Sequence, residues 1–165
     1  MTDTIAFSTS GTDPETLRIA AELIEKGGEL YTISQKAVKS RTFEASRFWQ
    51  YGIANEHRDG RIIWSVLYQA DREKSGYPGK DDADFVEHLA NIEGFDVAII
   101  FIEGTEQNVR ISFRSKPGFD VSKVACAFGG GGHKAAAGAN VEGSIEEVIP
   151  TVLQKTRELI FNGKE

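Results

Sequence analysis

The sequence predicts an α/β protein: a mixed sheet of about four to five strands flanked by helices, with a helical connecting segment ahead of it. Three observations carry that prediction. Apolar residues recur at helical spacing through the first third of the chain, the spacing switches to period two after Asp59-Gly60, and a capping box opens a closing helix at Ser144. At 165 residues the chain has room for one domain with a real core and a helical appendage.

Asp13 as N-cap and Pro14 at the first helical position start a helix through ETLRIAAELIEK, and Gly27 stops it. Leu17, Ala20, Ala21 and Ile24 share one face. A short helical piece follows around LYTISQKAV. In TFEASRFWQYGIANE the residues Ala45, Phe48, Trp49, Gly52 and Ile53 again recur at helical spacing. Beyond the turn signal Asp59-Gly60, Ile62, Trp64, Val66 and Tyr68 alternate with Ile63, Ser65 and Leu67, which predicts a strand buried on both faces. EKSGYPGK reads as a loop, and DDADFVEHLANI as a helix closed by Gly94.

FDVAIIFIE and NVRISFRS read as two further strands. The short GTEQ between them predicts an antiparallel hairpin. On the second of these, Val109, Ile111 and Phe113 face one way and Arg110, Ser112 and Arg114 the other. FDVSKVACAF is a short amphipathic helix, and AAAGANVE returns to the sheet as a strand of small residues. The closing segment SIEEVIPTVLQKTRELIF has its capping box in Ser144 and Glu147. Pro150, inside its apolar pattern, predicts a kink or the true helix start.

Composition narrows the function. The longest apolar run, residues 97–102, is too short to span a bilayer, and the opening MTDT lacks a signal-type pattern, which predicts a cytoplasmic protein with no membrane partner. One cysteine, Cys126, forms no internal disulfide, and three scattered histidines give no zinc-type spacing. A net charge of −6 argues against nonspecific coating of nucleic acid. The charge is uneven, though. Residues 107–134 hold five cations (Arg110, Arg114, Lys116, Lys123, Lys134) against one anion, Asp120, which predicts a localised anion site.

Inside that basic island lies GGGGHKAAAGAN, residues 129–140. Consecutive glycines suit a place where backbone approaches something closely, and bare N–H groups can converge on an anion. The stretch is no P-loop, because Gly-Lys-Ser/Thr is missing, and no dinucleotide fingerprint, because its order is helix, glycines, strand. A turn between helix and strand fits it as well. Set beside Arg114, whose planar fork matches phosphate, the loop reads as part of a phosphate or nucleotide pocket.

GGGGHKAAAG, preceded by a strand ending SFRS and followed by a closing helix, resembles the C-terminal DHH-associated domain of DHH-family phosphoesterases. The resemblance runs over about residues 60 to 165 and is strongest to the nanoRNase/pAp phosphatase (oligoribonuclease) branch. TDTIAF at residues 2–7 is similar to that family's end of the catalytic domain, with Ile5 where glycine is usual. The resemblance implies three parts: a catalytic-domain remnant over 1–12, a helical connector over 13–56 and a DHH-associated substrate-binding domain over 57–165.

The same resemblance implies that catalysis belongs to a partner domain. DHH enzymes hold two metal ions, usually manganese, in a catalytic half whose DHH triplet is absent here. Only Asp3 matches a metal position, and one carboxylate cannot hold a two-metal centre. No cofactor is expected in this chain, and no catalytic residue. Instead Arg114, Ser112 and His133 would contact a phosphate or nucleotide of a short oligoribonucleotide or of 3′-phosphoadenosine 5′-phosphate (pAp). Gly130, Gly131 and Gly132 would let backbone approach it, and Arg110 shares the face outside the motif. The alternatives are a stand-alone RNA-binding module resembling the domain appended to alanyl-tRNA synthetases, and an assembly domain.

Other residues invite functional readings but have plainer ones. Asp81, Asp82 and Asp84 answer a helix macrodipole. His88, in phase with Phe85, Leu89 and Ile92, packs, whereas His57 is solvated. Cys126 reads as a small buried hydrophobe, and Trp49 and Trp64 fit the core.

Overall fold

The computed structural model describes residues 7, 12–35, 40–105 and 107–161. Asp3 and most of the TDTIAF segment lie outside them. The chain divides into two compact bodies, residues 1–42 and 43–165.

The first body contains α1 (Pro14–Glu25) and α2 (Leu30–Ser34). Asp13 caps α1 by accepting from the Thr16 N–H at 2.7 Å, and Gly27 beyond its end takes φ +91°.

The second body is built around one six-stranded sheet, ordered β1-β2-β3-β4-β6-β5. Its strands are β1 (His57–Asp59), β2 (Ile62–Leu67), β3 (Val97–Glu103), β4 (Asn108–Ser115), β5 (Gly131–His133) and β6 (Ala136–Glu142). β2 and β3 are parallel and every other pair is antiparallel, so the sheet is mixed, as predicted. It has six strands rather than four to five. The two extra strands are three-residue edges, β1 and β5, too short to show a period of two.

Five helices flank the sheet: α3 (Phe43–Ala54), α4 (Gln69–Ser75), α5 (Phe85–Ala90), α6 (Ser122–Ala127) and α7 (Ile145–Thr156). A π-helical turn, Arg157–Phe161, extends α7. Two cores result. On one face Ile62, Val66, Ile99, Phe101, Ile111 and Phe113 pack with residues of α6 and α7 such as Val124, Val148 and Val152. On the other, Ile63, Leu67, Ala98, Ile100 and Ile102 pack with Phe48 of α3 and Phe85, Val86 and Leu89 of α5. Strands β2 and β3 are thus covered on both sides, which is why they read as near-continuous apolar runs.

Four local expectations change. Residues 73–75 of the expected EKSGYPGK loop end α4, whose sequence QADREKS has no apolar period to announce it. The Ser144–Glu147 capping box forms, and α7 starts there, so Pro150 marks no start; it lies inside the helix. Cys126 is exposed, not buried, because α6 buries Val124 and Ala125 and turns its next residue outward. The glycine stretch is not simply a turn: Gly131–His133 form an edge strand paired with Ala136–Gly138.

Candidate functional site

The second core stops at β3. Beyond it the same sheet face continues over β4, β6 and β5 without a helix in that core to cover it, and there the side chains turn polar. Period two puts Arg110, Ser112 and Arg114 on this face of β4, while Val109, Ile111 and Phe113 are buried on the other. The register sets Asn140, Gly138 and Ala136 of β6 opposite them in that order. Small residues at two of the three positions leave the floor low, and an open cavity of about 670 Å³ lies above it.

Three walls enclose it. Arg110, Ser112 and Arg114 rise from β4, Gly129 to Gly132 edge it on the side of β5, and Asp81, Asp82 and Asp84 stand at the loop before α5. Six of the seven residues expected to bind substrate therefore meet in one cavity. The seventh, His133, ends β5 as an exposed residue opposite Ala136 and is not among the lining residues.

The glycines are needed first by the sheet itself. A Cβ on Gly130 would overlap the carbonyl oxygen of Gly138, and one on Gly132, where φ is +138°, would stand 2.6 Å from that of Ala136. Gly131, between them, has nothing within 4 Å of its would-be Cβ. Close strand approach thus explains Gly130 and Gly132, whereas Gly131, like Gly129, has open space where a side chain would stand.

Arg114 is held in place. Its Nε donates to Glu87 of α5 and its Nη1 to the Phe113 carbonyl at 3.0 Å, leaving the rest of its fork without a hydrogen-bond acceptor among the described residues. Arg110 is exposed, and no described residue forms an ion pair with it.

The acidic wall is where the sequence reading fell short. Asp82 does answer the helix start, since its Oδ2 accepts from the Val86 N–H at 3.0 Å, but it is buried and lines the cavity. Burial raises its pKa, against the Val86 N–H and the Arg114 charge that favour the carboxylate. Burial also acts on Asp81. There the Tyr77 hydroxyl, donating at 2.6 Å, the Ala83 N–H and the charges of Arg110 and Arg72 outweigh it and hold the pKa low. The loop is fixed by Trp49, whose indole N–H donates to the Ala83 carbonyl at 2.9 Å. Asn140 was also missed. Its signal was in the sequence, because pairing AAAGANVE with NVRISFRS places it across from Arg110.

Elsewhere the plainer readings stand. His88 is half-buried, its ring 5.5 Å from those of Phe85 and Trp49, and His57 is exposed and stacks on Trp64 at 4.2 Å. Among the described residues no group of three or more His, Cys, Asp or Glu could hold a metal ion. No helix among them is long and apolar enough to cross a membrane.

The model of the DHHA1 domain matches residues 59–161. The bifunctional oligoribonuclease and PAP phosphatase NrnA of Thermus thermophilus is 32% identical over 161 residues, which cover 96% of this chain and 48% of that protein. The protein of the same name from Bacillus subtilis is 31% identical over 144 residues, covering 84% of this chain and 44% of that protein. Among solved structures, an exopolyphosphatase-related protein from Bacteroides fragilis matches with a TM-score of 0.88 and 27% identity, over 96% of this chain and 47% of that one. The chain spans about half the length of the curated relatives it matches.

Proposed function

The chain belongs to the DHHA1 domain family, near the NrnA branch, and from that premise we propose that it is the substrate-binding half of a DHH-family phosphoesterase acting on short oligoribonucleotides or pAp. The observation that carries this reading is the polar cavity on β4 and β6, which gathers two arginines, a hydroxyl and an open glycine edge. In it Arg114, pre-oriented by Glu87, offers its remaining N–H groups to a phosphate, and Arg110 adds a second cation. Ser112 donates its hydroxyl between them. Gly131 lets the ligand approach the backbone, and His133 stands at the rim.

Water activation belongs to the partner domain, whose manganese ions would polarise the phosphoester. The described residues do not fit such a centre, and the metal position Asp3 lies outside them. This half binds, orients and screens the far end of the substrate. The acidic wall contributes selectivity: Asp81, Asp82 and Asp84 oppose anions on that side, so a phosphate settles toward the arginines and the sugar or base toward the carboxylates. A cytoplasmic location, where such substrates arise, goes with this reading.

Calorimetric titration of pAp tests it. The parent chain should bind, and Arg114→Ala should bind about tenfold or more weakly, the effect of losing hydrogen bonds to a charged group. Equal affinity of the two would overturn the reading.

A further inference from the structure

Among the described residues ten large apolar side chains are exposed, and seven of them belong to the first body, residues 1–42. Four lie on α1: Leu17, Ile19, Leu23 and Ile24, between 46% and 59% exposed. The helix buries no residue at all. A helix of 12 residues is marginal in water by itself, so α1 draws its stability from a face that something covers.

At about 100° per residue, Ile19, Leu23, Ala20, Ile24, Leu17 and Ala21 form one arc of about 200°, broken only by Thr16. An ordinary surface helix needs an apolar stripe of about 100°. Glu25, Arg18, Glu22 and Glu15 fill the remainder. That polar arc is net acidic, which disfavours an anionic lipid surface as the cover. Among the described residues no ion pair engages Arg18 or Glu25.

The order of residues along α1 is chemically symmetric about Ala20 and Ala21. A twofold axis between these two sets Ala20 against Ala21 of the partner subunit and Leu17 against the partner's Ile24, and the reverse. Single methyl groups at the crossing let the helix axes approach closely. Arg18 and Glu25 lie along one edge of the seam. Antiparallel pairing brings each Arg18 within about two residues of the partner's Glu25, about 3 Å along the axis, so two equivalent ion pairs form. A parallel pair would instead set that charged edge against the apolar edge that holds Leu23. We propose that α1 is a dimerisation helix, pairing antiparallel with α1 of a second copy of this chain. The pairing is independent of the groove on β4 and β6 and of its proposed role.

The test is sedimentation equilibrium of the full chain from micromolar to submillimolar concentration, in the parent, Ile24→Asp, Arg18→Glu and Glu25→Arg. The parent should show a reversible monomer–dimer equilibrium, and Ile24→Asp should weaken it about tenfold or more. Arg18→Glu and Glu25→Arg should each weaken it about threefold or more, because each turns two attractive pairs into two repulsive ones. An equimolar mixture of these two variants should recover the parent's affinity as a heterodimer, since both of its pairs are again opposite in charge. Misfolding of either variant cannot produce that recovery. A parent that stays monomeric at every concentration overturns the proposal and assigns the face to a different partner. A dimer that Ile24→Asp leaves intact, or a mixture that pairs no better than its separate components, overturns it as well.

Discussion

At residue scale, neighbouring glycines in one run have different reasons to be glycine. A methyl group on Gly130 meets the backbone of β6, whereas one on Gly131 meets open space. Gly130→Ala should therefore lose about 1–3 kcal/mol of stability through overpacking, read as a fall in Tm. Gly131→Ala should keep the parent's Tm yet bind pAp more weakly, since the added carbon stands where a ligand would reach the backbone. Equal Tm losses at the two positions would contradict this division. Asp82 gives a pH signature. Its pKa is raised by burial, so between the unfolded and folded values the folded chain holds more protons, and stability falls as pH rises through that window. Above the window the cost of the buried charge is fully present. Asp82→Asn removes it while an amide oxygen can still accept from Val86, so its Tm should exceed the parent's at neutral pH. The gap should close once the pH is below the ordinary aspartate range. A variant no more stable than the parent at neutral pH would refute the argument.

At the scale of elements, the groove exists because the apolar cover of α3 and α5 ends at β3, α5 meeting β4 through the polar Glu87–Arg114 pair, and that edge depends on α3 holding α5. The contact is close: a Cβ on Gly52 of α3 would overlap the ring of Phe85 in α5, a ring with no exposed surface. Gly52→Ala should cost about 1–3 kcal/mol and loosen the Asp81–Asp84 wall with it, measurable as a lower Tm and faster amide exchange in residues 81–86. Elements of this size were legible where side chains carry a period. β2 and β3 followed from near-continuous apolar runs and β4 from alternation, and that alternation put Arg110, Ser112 and Arg114 on one face. β5 was not legible, because alternation is a property of Cβ atoms and its glycines have none. Nor was α4, a polar segment whose place is set by contacts with α3. The acidic wall faces β4 only through the tertiary packing of α5 on β3, information that no local pattern contains.

At the scale of the whole molecule, the sheet presents one covered and one open half of the same face, and the open half is a groove with cations, amides and carboxylates in sequence along it. The chain covers about half of its curated relatives, and its described residues hold no metal cluster. On the proposed division of labour, this half should bind pAp without hydrolysing it. Incubation with manganese should release no phosphate above the buffer control, and release abolished by Arg114→Ala would show that this half carries chemistry of its own. The most direct measurement of the central claim is a two-dimensional amide NMR titration of the chain with pAp. Saturable shifts should concentrate on residues 110–114 and 129–133 and vanish in Arg114→Ala. Shifts confined to other surfaces, or a spectrum that pAp leaves unchanged, would contradict it.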